Sequence, residues 1–434
     1  MGDAVRYESI AQCPRSNARR GRVHTPHGVF ETPAFMPVGT RASVKGVLPA
    51  QVAATGAQIV LANTYHLLLR PGEALVSKMG GLAKFMNWPG PVLTDSGGYQ
   101  AFSMADINTV TDDGVRFKSI IDGAVIELSP ERATHVQNLL GADIIMAFDD
   151  CPPSTIAATP ADADGENAAP GSSDPRLIKA ISRDKKRHAV YDHAARLKQA
   201  NERTVRWLER CKAAHGRSSD QGLFGIVQGG TDLDARTWSA SRITAIDLPG
   251  YAIGGVAVGE TFAEIAKVVR HTAPLLPPGK PRYLMGVGYE RDLLAAVLAG
   301  VDMFDCVLPT RNARNASVFT STGQMRLRNA KYQDDPSPID PSCDCVACAP
   351  TPHALPVPQA GYFSRGYLRH LFMVGEMLGP ILVTLHNLRH FQRFMAAVRS
   401  AIESESRGEI GAWERLVQQF PVAKDGLDGG TLRS

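Results

Sequence analysis

The sequence lacks any apolar run near the roughly 20 residues that a membrane-spanning helix requires. Residues 1–6 contain no apolar core of a signal peptide. Cysteine is scarce and odd in number, with 7 in the chain, and three of them lie between positions 343 and 348. This clustering argues against a disulfide framework and favours a metal site in a reducing compartment. The sequence therefore predicts a cytoplasmic protein without a membrane segment.

A strong charge imbalance is also missing, because 47 lysines and arginines face 43 acidic residues and leave a net charge of +4. Such mild basicity suits a nucleic-acid partner, yet many basic enzymes bind no nucleic acid. The content of 44% hydrophobic and 21% charged residues is ordinary for a globular protein. A chain of 434 residues holds either one large domain with insertions or two to three domains.

Short, continuous apolar segments alternate with segments of helical spacing, which indicates βαβ units and a parallel sheet buried on both faces. The apolar segments are 33–38, 58–63, 91–95, 143–149, 223–228, 251–254, 282–285 and 301–305. The helical segments include 47–55, 130–140, 233–246, 263–276 and 291–299. Eight such strands favour an α/β fold of the (β/α)₈ TIM-barrel type, and an open doubly wound sheet is the alternative.

Polar residues or glycine end many of these strands, at Asp95, Asp149, Gln228, Gly254 and Asp305. A carboxylate at the end of a buried apolar strand is costly to desolvate, so it usually has a functional reason. In a parallel barrel, strand ends converge on one active site. We therefore expect these residues to meet in a single pocket, with strand-end capping as the alternative for each one.

Three segments fall outside this alternation. Residues 157–175 are rich in Ala, Asp, Gly, Pro and Ser and predict a disordered surface loop. Residues 349–361 predict a second exposed insertion, and residues 425–434 a frayed tail. Residues 176–215 predict a long basic helix, which is either a solvated face or an RNA-binding face.

Cys343, Cys345 and Cys348 form a C-x-C-x₂-C cluster that offers three thiolates to a tetrahedral metal ion. The spacing of the cysteines does not identify the fourth ligand, for which the candidates are His353, His370, His386 and His390. Clustered free thiols without a metal are the alternative. A site closed by four protein ligands would be structural rather than catalytic.

Three further motifs are compatible with recognition of a nucleotide. After the strand that ends at Asp95, Gly97 and Gly98 permit a tight turn, so that Asp95 and Ser96 can point into a pocket beside the flat face of Tyr99. Asp149 can accept hydrogen bonds from an amidine edge while Gln228 and a glycine N–H donate to a carbonyl oxygen, which is the pattern of guanine. Arg311 and Arg314 suit phosphate groups, although surface arginines are equally compatible with their spacing.

Together these motifs resemble the bacterial type of tRNA-guanine transglycosylase, in the queuine tRNA-ribosyltransferase family, over about residues 21–399. The most specific matches are 95–100, 254–260, 304–311 and the cysteine cluster with a distant histidine. The resemblance implies a zinc-containing (β/α)₈ barrel with guanine and 7-aminomethyl-7-deazaguanine as substrates. Such an enzyme exchanges the two bases at the wobble position of tRNAs with G-U-N anticodons, by double displacement through a covalent enzyme–RNA intermediate, in queuosine biosynthesis.

The resemblance also implies residue roles. Asp305 would be the nucleophile and Asp95 the general acid/base. The remaining implied contacts are Ser96, Asp149, Gln228 and Gly255 on the purine edge, the Val256 carbonyl on the aminomethyl group, Tyr99 and Met285 on the two base faces, and Arg311 and Arg314 on the anticodon loop. The implied ligands of a structural Zn²⁺ are Cys343, Cys345, Cys348 and His386, in a subdomain over 315–390 of a catalytic domain over 1–424. A homodimer is implied as well.

Cys151 and Val258 resemble the bacterial pocket, and from the family we expect a smaller residue at the Val258 position in enzymes that use queuine. The chain departs from the family pattern in the insertions 157–175 and 349–361. Two other functions are compatible with part of this pattern. A non-catalytic tRNA-binding accessory subunit is disfavoured by the intact Asp95, Asp149 and Asp305, and a carbohydrate-active barrel hydrolase by the guanine-shaped set and the thiolate cluster.

Overall fold

The computed structural model describes residues 4–104, 108–152, 192–257, 259–349 and 361–429. Its central element is an 8-stranded parallel sheet. The strands are Ala34–Met36, Val60–Ala62, Val92–Thr94, Ile144–Met146, Gly222–Val227, Gly250–Ile253, Arg282–Leu284 and Met303–Asp305. Each of the eight predicted apolar segments contains or overlaps one of these strands.

Helices follow the barrel strands and surround them. They are Pro49–Ala54, Thr64–Leu69, Glu73–Lys78, Leu82–Met86, Gly98–Met104, Pro130–Leu140, His193–Ala214, Leu233–Thr244, Phe262–Thr272, Glu290–Leu298, Leu308–Arg314, Arg365–Val374, Leu378–Ser406, Ala412–Gln419 and Lys424–Asp428. Short 3₁₀ turns lie at Ala273–Leu275, Ala330–Tyr332 and Pro421–Ala423. Among the described residues, no helix combines the length and the apolar character needed to cross a bilayer.

The sheet closes on itself and confirms the barrel. From the second strand to the eighth, each strand pairs with the next along the chain, and Met303–Asp305 then pairs in parallel with Ala34–Met36. The remaining seam is joined by a parallel bridge between Val38 and Leu61. An open doubly wound sheet would leave two edges unpaired, so that alternative is wrong.

Burial on both faces explains why the strands are continuous apolar runs. In the strand Ile144–Met146, the two outer residues pack in a cluster inside the barrel, whereas Ile145 packs in the larger cluster between the barrel and its helices. The same alternation places Tyr283 inside the barrel and Leu284 outside it. Side chains of alternate residues thus fill two separate apolar layers.

Three smaller antiparallel sheets were not predicted from the sequence. They consist of Arg6–Gln12, Arg19–Thr25 and Gly28–Thr32; of Asn108–Val110, Val115–Lys118 and Val125–Leu128; and of Ser317–Thr320 with Gly323–Arg326. The first sheet contributes Val23 and Phe30 to the cluster inside the barrel. Arg19 donates from Nε to the fully buried Asp302, over 2.8 Å, and so ties this sheet to the barrel.

Two of the segments predicted to be loops lie wholly or mostly outside the described residues, namely 157–175 and, within 349–361, residues 350–360. The first part of the predicted basic helix, 176–191, also lies outside them. The rest of that helix is present as His193–Ala214. The expected tail differs at its start, because Lys424–Asp428 is helical and packs on Glu290–Leu298. Gly426 permits this close approach, since a Cβ there would come within 2.2 Å of the Arg291 carbonyl oxygen.

Candidate active site

A cavity of about 460 Å³ opens at the carboxyl ends of the barrel strands. Every residue predicted to act on the substrate lines this cavity: Asp95, Ser96, Tyr99, Asp149, Gln228, Gly255, Val256, Met285, Asp305, Arg311 and Arg314. These residues are far apart in the sequence. The parallel barrel collects them because all of its strands point their carboxyl ends toward the same face.

Asp305 ends its barrel strand with its carboxylate held from one side. Oδ1 accepts hydrogen bonds from the Tyr283 hydroxyl at 2.6 Å and from the Gly286 N–H at 2.8 Å. Desolvation raises the pKa of Asp305, and these two donors oppose the rise by stabilising the anion. Within the described residues no other residue donates a hydrogen bond to Oδ2. One oxygen is therefore fixed while the other is available to react.

Asp95 lies in the same cavity with a larger set of donors. Oδ1 accepts from the Thr64 N–H at 2.8 Å, and Oδ2 accepts from the side-chain amides of Asn63 and Gln100. Burial raises the pKa of Asp95 to about 6, partly opposed by these hydrogen bonds, and the nearby charge of Asp305 adds to the rise. A carboxyl group with this pKa can hold or release a proton near neutral pH.

Asp149 forms a buried triad with two neighbours. Its Oδ1 accepts from the Ser96 hydroxyl at 3.0 Å, and its Oδ2 accepts from Nε2 of Gln228 at 2.7 Å. Desolvation raises the pKa of Asp149 to about 6, against the effect of these two hydrogen bonds, and the charge of Asp150 contributes to the rise. The triad presents acceptors and donors side by side on one wall of the cavity.

Glycine is required at two turns of this wall. Gly97 has φ +78° and Gly255 has φ +61°, both in the left-handed region. A Cβ at Gly255 would also come within 2.1 Å of Oε1 of Gln228. Glycine at position 255 therefore lets the backbone lie against Gln228, so that the Gly255 main chain and the triad can contact the same ligand.

Tyr99 and Met285 offer the broad surfaces that stacking on a flat base requires. The Tyr99 side chain is 36% exposed, and Met285 is half-buried against the cluster inside the barrel. Cys151 lines the cavity too, and burial raises the pKa of its thiol, so this side chain is a neutral wall. Val258 lies outside the described residues.

Arg311 and Arg314 lie on the helix Leu308–Arg314 at the cavity. Within the described residues, no ion pair or hydrogen bond involves either guanidinium group. Burial and the neighbouring Arg311 lower the pKa of Arg314. Two adjacent cations without a protein anion are available to an anionic ligand.

The arginines of the helix His193–Ala214 differ, because they face acidic side chains. Arg196 binds the buried Asp150 through both of its Nη atoms, at 2.7 and 2.9 Å, and Arg203 binds the same carboxylate. Arg206 pairs with Asp112 at 2.9 Å. Arg196 and Arg203 are largely buried in these ion pairs rather than solvated, whereas Arg206 is exposed as well as paired, so the predicted solvated face describes only part of this helix.

A second functional centre lies in the C-terminal part of the chain. Cys343, Cys345, Cys348 and His386 are all buried, and their potential ligand atoms lie within 4.8 Å of one another. Nδ1 of His386 is 3.4 Å from Sγ of Cys345 and 3.2 Å from Sγ of Cys348. Three thiolates and one imidazole around a common point fit a tetrahedral zinc ion, and a closed set of this kind is structural.

The surroundings of His386 strengthen the fit. Its Nε2 lies 2.7 Å from the Phe319 carbonyl oxygen, so the proton belongs on Nε2 and the Nδ1 lone pair faces the cysteines. The other histidines of the candidate set lie elsewhere: His390 pairs with Glu290 at 2.6 Å, and His370 stacks on Tyr367. His353 lies outside the described residues. The thiol cluster therefore includes His386.

Sequence reasoning missed the residues that hold the two cavity carboxylates. Asn63 ends a predicted strand, so the rule that picked out Asp95 and Asp305 would have found it as well. Tyr283 lies inside an apolar strand, and nothing in the sequence separates it from a core tyrosine. Gly286 and Thr64 donate through the backbone, which leaves no mark in the side-chain pattern.

Comparison with known proteins shows the family of the chain. The family model described as queuine tRNA-ribosyltransferase matches residues 13–167 and 186–417. The chain is 49% identical to a queuine tRNA-ribosyltransferase of Symbiobacterium thermophilum, over 94% of this chain and 90% of that protein. It is 46% identical to the protein of the same name from Bacillus subtilis, over 97% of this chain and 98% of that protein. The chain belongs to the queuine tRNA-ribosyltransferase family.

Proposed function

We propose that the chain is a tRNA-guanine transglycosylase. It exchanges guanine at the wobble position of tRNAs with G-U-N anticodons for 7-aminomethyl-7-deazaguanine, in queuosine biosynthesis. The observation that carries this proposal is the pair of desolvated carboxyl groups, Asp305 and Asp95, in one cavity beside the triad of Asp149, Ser96 and Gln228. A pair of carboxyl groups suits glycosidic bond exchange, and the triad suits a guanine edge.

In the proposed first step, Oδ2 of Asp305 attacks C1′ of the ribose. The bond between C1′ and the guanine N9 breaks, a bond between C1′ and Asp305 forms, and Asp95 gives a proton to the departing base. The hydrogen bonds from Tyr283 and Gly286 support this step, because they hold Asp305 ionised in a desolvated site.

In the proposed second step, N9 of the incoming base attacks C1′ from the side that guanine left. Asp305 departs as a carboxylate, and Asp95 takes the proton from the incoming base. Two inversions at C1′ restore the original configuration, as in retaining glycosidases. The pKa of Asp95, raised to about 6 by burial, supports its use as acid in one step and base in the other.

The proposed contacts of the base follow from the donors and acceptors on the cavity wall. Ionised Asp149 accepts from the N1–H and the 2-amino group of guanine. Gln228 uses one Nε2 hydrogen for Asp149 and has a second for the base carbonyl, beside the N–H of Gly255. Tyr99 and Met285 cover the two faces of the base, and the Val256 carbonyl accepts from the aminomethyl group of the incoming base.

The proposed RNA contacts are Arg311 and Arg314, whose unpaired guanidinium groups suit phosphates of the anticodon loop. Cys343, Cys345, Cys348 and His386 would hold a structural Zn²⁺ that fixes the fold of this region. We place the reaction in the cytoplasm, where such thiols stay reduced.

We also propose that two copies of the chain form a homodimer. The exposed apolar side chains of Tyr367, Met373 and Val374 on the helix Arg365–Val374, and of Met377 just after it, support this assembly. Large apolar side chains that are exposed together can mark an interface. Light scattering that gave the mass of a monomer at micromolar concentration would contradict it.

Incorporation of radiolabelled guanine into an unmodified tRNA with a G-U-N anticodon tests the proposed reaction. The wild-type protein should incorporate label, and the Asp305→Asn variant should fall to background while it still binds the tRNA. Asn keeps an acceptor for Tyr283 and Gly286, so the variant should fold.

A denaturing gel then tests the covalent step, and wild type alone should retain tRNA through a bond to Asp305. No label with wild type, despite bound zinc and measurable tRNA affinity, would favour the accessory subunit instead. Full activity of Asp305→Asn would exclude the assigned nucleophile.

A further inference from the structure

We propose that Arg236 is a positioning residue for base selection, because it holds the two loops of the base-reading wall in one orientation. This inference rests on the proposed function. Arg236 belongs to the helix Leu233–Thr244, behind the cavity, and does not line it. Its side chain is 0% exposed and lies among the largest fully buried side chains of the chain.

The guanidinium group of Arg236 donates hydrogen bonds to four main-chain carbonyl oxygens. Nε donates to Gly230 at 2.9 Å, and Nη1 donates to Val227 at 3.0 Å, which lie on either side of Gln228 where the strand Gly222–Val227 passes into its loop. Nη1 also donates to Gly254 at 2.7 Å, and Nη2 donates to Gly255 at 2.9 Å, on the loop after the next barrel strand. One planar cation thus joins the two loops that the proposed function assigns to base recognition.

The orientation of the Gly255 amide follows from these contacts. The peptide bond between Gly254 and Gly255 is trans, so its C=O and N–H point in opposite directions. Because the Gly254 carbonyl points at Arg236, the Gly255 N–H points away from it, toward the cavity that Gly255 lines. No acceptor for this N–H occurs within the described residues. Arg236 therefore aims an unpaired donor at the place where the base carbonyl would lie.

Burying a cation here has a cost that a purely apolar packing residue would avoid. Desolvation lowers the pKa of Arg236 to about 10, and the carboxylate of Glu260 opposes the change, so the group stays charged at neutral pH. Lysine has no planar set of donors and cannot span four carbonyls at once. The Arg236→Lys substitution therefore keeps the positive charge but removes the hydrogen bonds that hold the two loops, so it tests the positioning role apart from the charge.

The test compares inhibition of exchange by three bases, in wild type and in Arg236→Lys. Guanine and hypoxanthine both carry the 6-carbonyl group, whereas 2-aminopurine lacks it. We expect the inhibition constants of guanine and hypoxanthine to rise on the order of 10- to 100-fold, the effect of losing one well-placed hydrogen bond. The constant for 2-aminopurine should stay within about twofold, and so should the affinity for tRNA.

Arg242→Lys is the matched control, because Arg242 lies on the same helix with its side chain exposed. It should leave all three inhibition constants unchanged. An equal rise for all three bases in Arg236→Lys would mean a general loss of structure and would overturn the inference. A wild-type protein that binds guanine but exchanges none would contradict the proposed function instead, and the three binding constants would still test Arg236.

Should Arg236→Lys fail to fold, amide hydrogen exchange of the wild-type protein replaces it. The inference requires the Gly255 amide to exchange rapidly in the free protein and to become protected when guanine binds. It requires no such gain with 2-aminopurine. Equal protection with and without guanine would overturn the inference.

Discussion

Asp95 and Asp149 are both desolvated, and burial raises the pKa of each to about 6. Their partners differ. Asp95 accepts from Asn63, Thr64 and Gln100, and the charge of Asp305, the other carboxylate of the proposed pair, lies nearby. Asp149 accepts from Ser96 and Gln228, whose side chains have further hydrogen-bonding capacity for a ligand. The first carboxyl group is therefore suited to proton transfer and the second to ligand recognition.

The affinity for free guanine should depend on pH through Asp149. Only the ionised carboxylate can accept from both the N1–H and the 2-amino group. The inhibition constant of guanine should therefore stay flat above about pH 6 and rise about tenfold per pH unit below it. Competition assays between pH 4.5 and 8 measure this. In Asp149→Asn the affinity should be weak and independent of pH, and a slope retained in that variant would assign the titration to another group.

The raised pKa of Asp149 also affects the stability of the fold, and this effect favours low pH whereas guanine binding favours high pH. An aspartate with a folded-state pKa of about 6 and an ordinary value of 3.8 binds more protons folded than unfolded between those values. The contribution of Asp149 to the free energy of unfolding therefore falls as pH rises from about 4 to 6, by at most about 3 kcal/mol. Urea unfolding should show Asp149→Asn to be more stable than wild type at pH 8 and equal to it at pH 4. A less stable variant at pH 8 would contradict this reading.

At the scale of elements, strands buried on both faces could be predicted and strands with a solvent face could not. The run that contains Ile144–Met146 is apolar throughout, so its class is evident from composition. Arg6–Gln12 instead carries arginine, serine and glutamine on exposed positions, and its apolar residues are too few to indicate a strand. Pairing with Arg19–Thr25 forms it, and that contact is tertiary.

The helix His193–Ala214 shows that composition alone does not reveal which basic side chains are paired. Its basic residues suggest an RNA-binding face, yet Arg196 and Arg203 neutralise Asp150, one residue after Asp149. Trp207 of the same helix is fully buried and stacks on Phe148 with ring centroids 4.9 Å apart. This helix therefore supports the strand end that carries the triad. Charge counting on the sequence cannot separate paired from unpaired arginines.

The element around the cysteines should depend on metal for its structure. Cys345→Ser removes one of four ligands, so we expect the zinc content to fall from about one ion per chain to a small fraction of that. Mass spectrometry of metals measures the content, and limited proteolysis should show earlier cleavage within 317–374. Cys13→Ser is the matched control, because Cys13 is buried in a different cluster. Unchanged zinc in Cys345→Ser would refute the ligand assignment.

At the scale of the whole molecule, the candidate site could be predicted because a parallel barrel turns separate strand ends into neighbours. Asp95, Asp149 and Asp305 each lie at or just after the end of an apolar strand, and the fold rule alone brings them to one face. The supporting residues could not be predicted in this way. Tyr283 and Arg236 lie in buried segments, and their contacts exist only once two or three strands are in place.

Charge over the whole surface is divided between arginines with protein partners and arginines without them, and this division predicts where tRNA binds. The net charge of +4 is too small to direct an anion to one face. The unpaired Arg311 and Arg314 lie at the cavity, whereas Arg206 and Arg210 are paired with Asp112 and Glu131. Breaking the latter pairs should therefore change RNA affinity little.

Arg311→Ala and Arg314→Ala should each weaken tRNA binding about five- to tenfold in moderate salt. Each should also reduce the slope of log affinity against log salt by about 1, because one phosphate contact and its counterion release are lost. Arg206→Ala and Arg210→Ala are the matched controls, and both the affinity and the slope should match wild type. Fluorescence anisotropy between 50 and 300 mM salt measures all four. An equal loss of tRNA affinity in the Arg206→Ala and Arg210→Ala variants would contradict this prediction. It would mean that the RNA also contacts the helix His193–Ala214, whose arginines would have to leave their ion pairs to bind it.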